Sequence, residues 1–203
     1  GYHKDFGSLL HFEASVFCTW LKNAMVRSDF LFNGEDSILY GGELSKVEAL
    51  VNASHAVVYG INLGIRINFT GHLSLKSSMN ITEGEEKGGI PLRHAPPPFG
   101  STHLIYESPK VKADLYASYN GARKYEKMPP SEISKAYMYA TDRNGNPWSP
   151  GWYTINFRLA LNLTKRAALN AGIENILDHR YRPYSSGIVS PGRNFVISLR
   201  IKV

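Results

Sequence analysis

The sequence predicts an all-β chain, a transmembrane antiparallel β-barrel segment built from eight strands. Two observations predict it. Apolar and polar residues alternate with a period of two, over stretches longer than the roughly five or six residues usual in globular sheets. The connections between these stretches are short and long in strict turn, which gathers every long loop at one end of the sheet.

The first strand, 10–21, carries a noisy copy of the pattern and is followed by a long link, 22–54. The second, 55–69, is the cleanest. Val57, Tyr59, Ile61, Leu63, Ile65, Ile67 and Phe69 oppose Val58, Gly60, Asn62, Gly64, Arg66, Asn68 and Thr70. Side chains alternate sides along a strand, so one face is apolar and the other wet. Thr70-Gly71-His72 turns the chain tightly into 72–82. A long link, 83–97, leads through Pro96-Pro97 to 98–107, and Glu107-Ser-Pro-Lys110 turns into 110–120. The longest run of loop punctuation, in 121–151, includes Asn144-Gly-Asn-Pro-Trp148-Ser-Pro-Gly151. Strand 152–163 alternates as cleanly as the second, with Tyr153, Ile155, Phe157, Leu159, Leu161 and Leu163 on one side. Thr164-Lys-Arg-Ala-Ala168 leads to 168–177; a last long link, 178–191, precedes 192–203, where Phe195, Ile197, Leu199, Ile201 and Val203 alternate with polar partners.

Composition narrows the class. The chain has 203 residues, 43% hydrophobic and 20% charged, which excludes a disordered polymer. The net charge of +6 is scattered without a basic run, so nucleic acid is not an expected partner. A single cysteine, Cys18, excludes a disulfide framework within the chain. The longest uncharged stretch, 49–65, has polar residues at every second position and is no transmembrane helix. The opening Gly1-Tyr-His-Lys-Asp5 lacks a basic start followed by an apolar run; either the chain stays in the cytosol or its beginning lies elsewhere. A soluble β-sandwich gives the same period and stays open at this point, as does a small complete eight-stranded barrel serving as adhesin or enzyme. Against the small barrel stands its filled interior, in which Glu13, Arg66, Lys76, Asp114, Arg158, Glu174, Arg200 and Lys202 would all need partners. A gentler curve within a larger ring, with water or a plug inside, accommodates them.

The closing segment is more specific. Leu169-Asn-Ala-Gly-Ile-Glu174-Asn175-Ile-Leu-Asp178-His-Arg-Tyr181, then Pro191-Gly192-Arg193-Asn194-Phe195 and an alternating strand, resembles the end of TonB-dependent outer-membrane receptors. Ala14-Ser-Val-Phe17-Cys-Thr-Trp-Leu-Lys-Asn23 and Pro96-Pro-Pro-Phe-Gly100 are similar to other strands of that family. The resemblance implies a multi-pass outer-membrane barrel of about 22 strands in a Gram-negative bacterium, with these as its C-terminal part. It implies as partners the plug and earlier strands, both outside this chain, outer-membrane lipid, the TonB–ExbB–ExbD energy-coupling complex acting through the plug, and a surface lipoprotein. It implies no resident cofactor or metal, and an iron–siderophore or haem as the imported solute. Val203 departs from the aromatic residue with which such barrels usually end.

No G-x-S-x-G, H-E-x-x-H, phosphate loop or C-x-x-C occurs, and no enzymatic activity is expected. Solute recognition belongs to the long loops, where tyrosine, tryptophan, arginine and histidine suit a bulky anionic or aromatic ligand. The candidates are Arg93, His94, Tyr125, Tyr137, Tyr139, Arg143, Trp148 and His179. Asn175, Asp178, Tyr181, Gly192 and Arg193 are expected to fix the end of their strand and its turn, with Arg193 paired to carboxylates of the bore.

Overall fold

The structure, a computed structural model, describes residues 1–201; Lys202 and Val203 lie outside them. Nine strands form one antiparallel sheet in chain order. They are β1 (Tyr2–Phe6), β2 (Leu10–Asp29), β3 (Glu48–Asn68), β4 (Leu73–Glu86), β5 (Phe99–Glu107), β6 (Val111–Asn120), β7 (Trp152–Asn162), β8 (Ala167–Glu174) and β9 (Asn194–Ile201). Each pairs only with its chain neighbours, apart from a two-residue ladder, Ile90–Pro91, on β4.

Register turns the alternation of each strand into two faces of the whole sheet. One row of directly opposed residues reads Phe6, Leu10, Ile67, Leu75, Leu104, Leu115, Phe157, Ile173, Phe195, apolar across all the strands. Cys18 lies on the same face, opposite Tyr59. The row Asp5, His11, Arg66, Lys76, His103, Tyr116 crosses β1 to β6 on the other face. Glu13, Asp114, Arg158, Glu174 and Arg200 share that polar side. Along β3 the apolar set from Val57 to Ile67 rises roughly 25 Å once strand tilt is included, the height of an outer-membrane hydrocarbon band.

No second layer covers the apolar face. The accessible surface is 13813 Å², where a soluble monomer of this mass exposes about 9,500 Å². Among the described residues only Ala56, Tyr116 and Met128 are buried hydrophobics, whereas Val16, Trp20 and Ile197 are each more than 70% exposed. A sandwich would have closed over Ile61, Leu63, Leu159 and Ile197, and this chain does not. β1 and β9 have one neighbour each, so the sheet is open at both edges. No helix among the described residues is long and apolar enough to cross a membrane, which says nothing about crossing by strands.

Three elements depart from the expected pattern. The link expected at 22–54 is largely ladder: β2 runs on to Asp29 and β3 starts at Glu48, joined through a small hairpin of Ser37–Tyr40 and Glu43–Lys46. Period two arises from burying one face, and beyond the apolar band both faces are wet. There the backbone pairing continues without a sequence signature. β1, only five residues long, was not expected, and Lys4 on its apolar face lies 5.8 Å from the Phe6 ring. The 121–151 link contains a one-turn helix, Pro130–Ile133, where no helix was expected; Pro130 stands in its first turn. The short turns, 7–9, 69–72, 108–110 and 163–166, lie at one end of the sheet, and the four long links at the other.

Gly60 marks a close approach on the polar face. A methyl group there would meet the Ile81 carbonyl and come within 2.7 Å of the Phe17 ring. Gly60→Ala is therefore expected to destabilise the sheet by about 1–3 kcal/mol, the range for overpacking. The check is the temperature at which the folded, fast-migrating band is lost on a gel.

Candidate functional site

The long links pack together at one end of the sheet, and two buried charges organise them. The first is Arg123, just past β6 and 4% exposed. Its backbone exchanges two hydrogen bonds of 2.9 Å with Ser149, which pins the start of the link to its end. Its guanidinium donates to Glu83 Oε2 at 2.9 Å and to the carbonyls of Ala95 and Pro96 at 3.0 and 2.9 Å. The same group lies 5.8 Å from the Tyr184 ring. One side chain thus joins β4, the 87–98 link, its own link and the last one.

The second is Glu132, with no exposed surface. It is set by the one-turn helix and accepts hydrogen bonds from the Tyr139 hydroxyl and from Arg93 Nε at 3.3 Å, with Lys135 Nζ 3.9 Å away. Burial pushes its carboxyl upward, but the bonds from Tyr139 and Ser185 and the charges of Lys135 and Arg93 outweigh it and hold the group below the ordinary 4.5. Burial and the adjoining Glu132 carboxylate raise the Tyr139 hydroxyl well above its ordinary 10.0. Tyr184, 6.0 Å from the Tyr139 ring, is pushed up to about 12 by burial and then by the charge of Glu132.

The signs fix a pH window. A lowered carboxyl contributes stability that is complete above 4.5 and lost as pH falls through its folded value. A raised phenol contributes stability complete below 10.0 and lost as pH climbs beyond it. Limited proteolysis of the 121–151 link is expected to be slow and flat between these limits and to accelerate outside them.

A third hub closes the last link. Asn175 takes a left-handed φ of 50° and ends β8, three residues before the expected end at 177. Its backbone N–H donates to Asn156 Oδ1 at 2.8 Å; its side chain donates to the His179 carbonyl at 2.9 Å and accepts from the His179 N–H at 3.0 Å. Asp178 Oδ1 accepts the Arg193 N–H at 2.8 Å, and a side chain at Gly192 would collide with that oxygen. Among the described residues Arg193 pairs with no carboxylate of the bore, contrary to expectation. Its Nε donates to the Ile176 carbonyl at 2.9 Å, an acceptor lying just past the end of the β8 ladder. Tyr181 stacks on Trp152 with ring centres 4.1 Å apart.

The solute candidates fall into two groups. Arg93 and Tyr139 are tied to Glu132, Trp148 is half-buried in a small ladder with Ala140, and Tyr125 is half-buried in a single turn, Tyr125–Lys127. Tyr137 is 82% exposed, and Arg143 stands exposed on the turn that Asp142 caps by accepting from the N–H groups of Asn144 and Asn146. His94, with φ of 62°, faces Ser185 Oγ at 3.1 Å, and the exposed His179 ring lies between Tyr153 and Tyr181. Sequence reasoning missed Arg123, Glu132, Trp152 and Ser185. Proline in a first helical turn, as at Pro130, is the one signal by which the short helix could have been found, and nothing local marks Glu132 as buried.

On the polar face Ser101 Oγ, His103 Nε2, His103 Nδ1 and Asp114 stand in file, at 3.2 Å and 3.0 Å. Nothing in the spacing of these residues announces this hydroxyl–imidazole–carboxylate order. β5 is paired on both sides, so its amides are committed to the ladder and leave no backbone donor for an oxyanion. The His103 ring stacks on Tyr116 at 4.9 Å, Arg158 lies 5.1 Å from that same ring, and Arg158 pairs with Glu174 at 2.9 Å. The file continues as a polar strut across β5 to β8.

The sequence profile of the family described as "TonB dependent receptor-like, beta-barrel" matches residues 2–176. The chain belongs to that family. No curated protein sequence matches it. Among solved TonB-dependent receptor-like structures, "Copper transporter OprC" superposes with a TM-score of 0.74 at 18% identity, over 98% of this chain and 29% of its own. The ferric enterobactin receptor PfeA from Pseudomonas aeruginosa, crystallised with enterobactin, gives 0.70 at 17% identity, over 98% and 30%. The ferric yersiniabactin uptake receptor FyuA from Yersinia pestis gives 0.62 at 17%, over 98% and 28%. At such identities the likeness concerns the fold. The chain spans about three tenths of the length of these receptors.

Proposed function

We propose that this chain forms part of the wall and outer loops of a TonB-dependent outer-membrane importer in a Gram-negative bacterium. Its solute is a bulky chelate, an iron–siderophore or haem, and it is not an enzyme. The observation that carries this reading is the apolar row from Phe6 to Phe195 on an uncovered face, with every long link at one end. Hydrocarbon satisfies such a face; water does not. Edges open at β1 and β9 suit continuation into further strands, and the polar face suits a bore that holds a plug. Energy would reach the bore through that plug from TonB–ExbB–ExbD, and a surface lipoprotein could seat on the exposed loop tips. Of the loop candidates, Tyr137, Arg143, His94 and His179 are exposed, and to these we assign contact with the solute.

The test is growth and radiolabelled iron uptake by a strain lacking this receptor, supplied in turn with siderophores, haem and ferric citrate. Loss of uptake from one source, restored by the receptor but not by a version carrying H94A, Y137A and R143A together, is the expected result. Unchanged uptake of every source on deletion removes the proposal.

A further inference from the structure

The four short turns, 7–9, 69–72, 108–110 and 163–166, gather at the end of the sheet opposite the long links and contain no aspartate or glutamate. Their ionisable residues are His72, Lys110, Lys165 and Arg166, all exposed. Lys4, exposed on the apolar face of β1, adds a further cation. Carboxylates stand at the adjoining strand ends only as Asp5 and Glu107, and both are engaged. Asp5 Oδ1 lies 2.6 Å from His11 Nδ1 and 3.1 Å from His3 Nε2, and Glu107 pairs with Lys112 at 2.9 Å. Among the described residues no carboxylate lies within ion-pair reach of Lys110, Lys165 or Arg166.

Just inside the turns the apolar face changes character. Phe6, Phe69 and Tyr106, at the mouths of the first three turns, are all exposed. Phe6 opposes Leu10 and Tyr106 opposes Leu73 on that face, and Phe69 closes the apolar set of β3. From strand centre to turn the surface therefore passes from aliphatic side chains to aromatic rings to cations. A bilayer leaflet runs through acyl tails, interface and charged headgroups in the same order. Lysine and arginine at such a boundary lay their stems along apolar surface and keep their charge among the headgroups.

We infer that the short-turn rim is a binding surface for anionic phospholipid headgroups, with Lys110, Lys165 and Arg166 holding the phosphate. The inference rests on the importer reading, which sets the apolar face in a bilayer, and adds to it a preference for one charge class of lipid. Two features commit the rim to lipid. It continues the apolar face without a break, and its unspent cations complement a phosphodiester, which ammonium and guanidinium groups hold by charge-assisted hydrogen bonds.

The experiment uses the intact receptor in phosphatidylcholine vesicles, with spin-labelled phosphatidylglycerol or phosphatidylcholine as the probe. The motionally restricted part of each spectrum measures lipid held at the protein surface. Wild type is expected to hold phosphatidylglycerol about threefold more tightly, and K110Q, K165Q and R166Q together to lower that preference about twofold. High salt is expected to lower it in wild type to a similar degree. K87Q, K124Q and K127Q together, which remove exposed lysines from the long links, are expected to leave it unchanged. Folding of each variant is read from its heat-dependent gel mobility, and K165Q with R166Q alone serves if the triple change fails to assemble. An unchanged preference in the short-turn variants overturns the rim site. An equal loss in the long-link variant also overturns it, since net charge alone would then explain the effect, and so does displacement of the lipid by free glycerol phosphate. A wild-type receptor that restricts both lipids equally overturns it as well, while the importer reading stands. A receptor that restricts neither lipid would instead remove the importer reading itself.

Discussion

Glu132→Ala is expected to release the outer loops, at a cost of about 3 kcal/mol, the lower end of the range for breaking a buried pair. The lower end applies because Arg93 is 28% exposed and can turn to water once its partner is gone. The Tyr139 hydroxyl cannot, and loses its acceptor in a half-buried site. The expected readout is rapid cleavage within 121–151 and faster hydrogen exchange in the 87–98 and 175–193 links, with the strands unchanged. Glu132→Gln keeps the volume and an acceptor for Tyr139 but loses the charge, and should fall between. A cleavage pattern identical to wild type in E132A would show that this carboxylate does not join the links.

Leu115→Arg should have the largest effect on assembly. Leu115 is the midpoint of the apolar set on β6 and sits in the row that crosses the sheet, between Leu104 and Phe157. An arginine at mid-depth on a lipid-facing strand costs roughly 2–4 kcal/mol. Asn170→Arg is the matched control, since its opposed neighbours on the polar face are Ala160 and Ser198 and its side is wet. Inserted, heat-modifiable receptor is expected to fall sharply for the first variant and to hold for the second. The opposite ranking would mean that the two faces had been assigned the wrong way round.

What was legible follows from where burial acts. One face of the sheet is apolar from Val57 to Ile67, so β3 and β7 show their alternation almost throughout, Val58 and Ala160 excepted, and their partners follow from register. Outside that stretch the chain writes no such pattern, and the upper parts of β2 and β3 therefore read as a loop. The motif from Asn175 to Arg193 was legible as a turn because asparagine, aspartate and glycine have few other reasons to stand at those intervals. Its arginine was misread, since the acceptor is a carbonyl that becomes available only when the strand stops. Arg123 and Glu132 were invisible for a third reason. Partners such as Glu83, 40 residues before Arg123, and Tyr184, still farther along the chain, are brought in only by closure of the links.

The lone thiol is a natural depth gauge. Cys18 is exposed on the side of the sheet that carries Val16 and Trp20, and the chain holds no second cysteine to confuse a label. On the importer reading, a spin probe attached there sits among acyl tails, broadened by dissolved oxygen and sheltered from water-borne nickel chelates. The native sequence thus already contains the reporter needed to find how deep the wall is immersed.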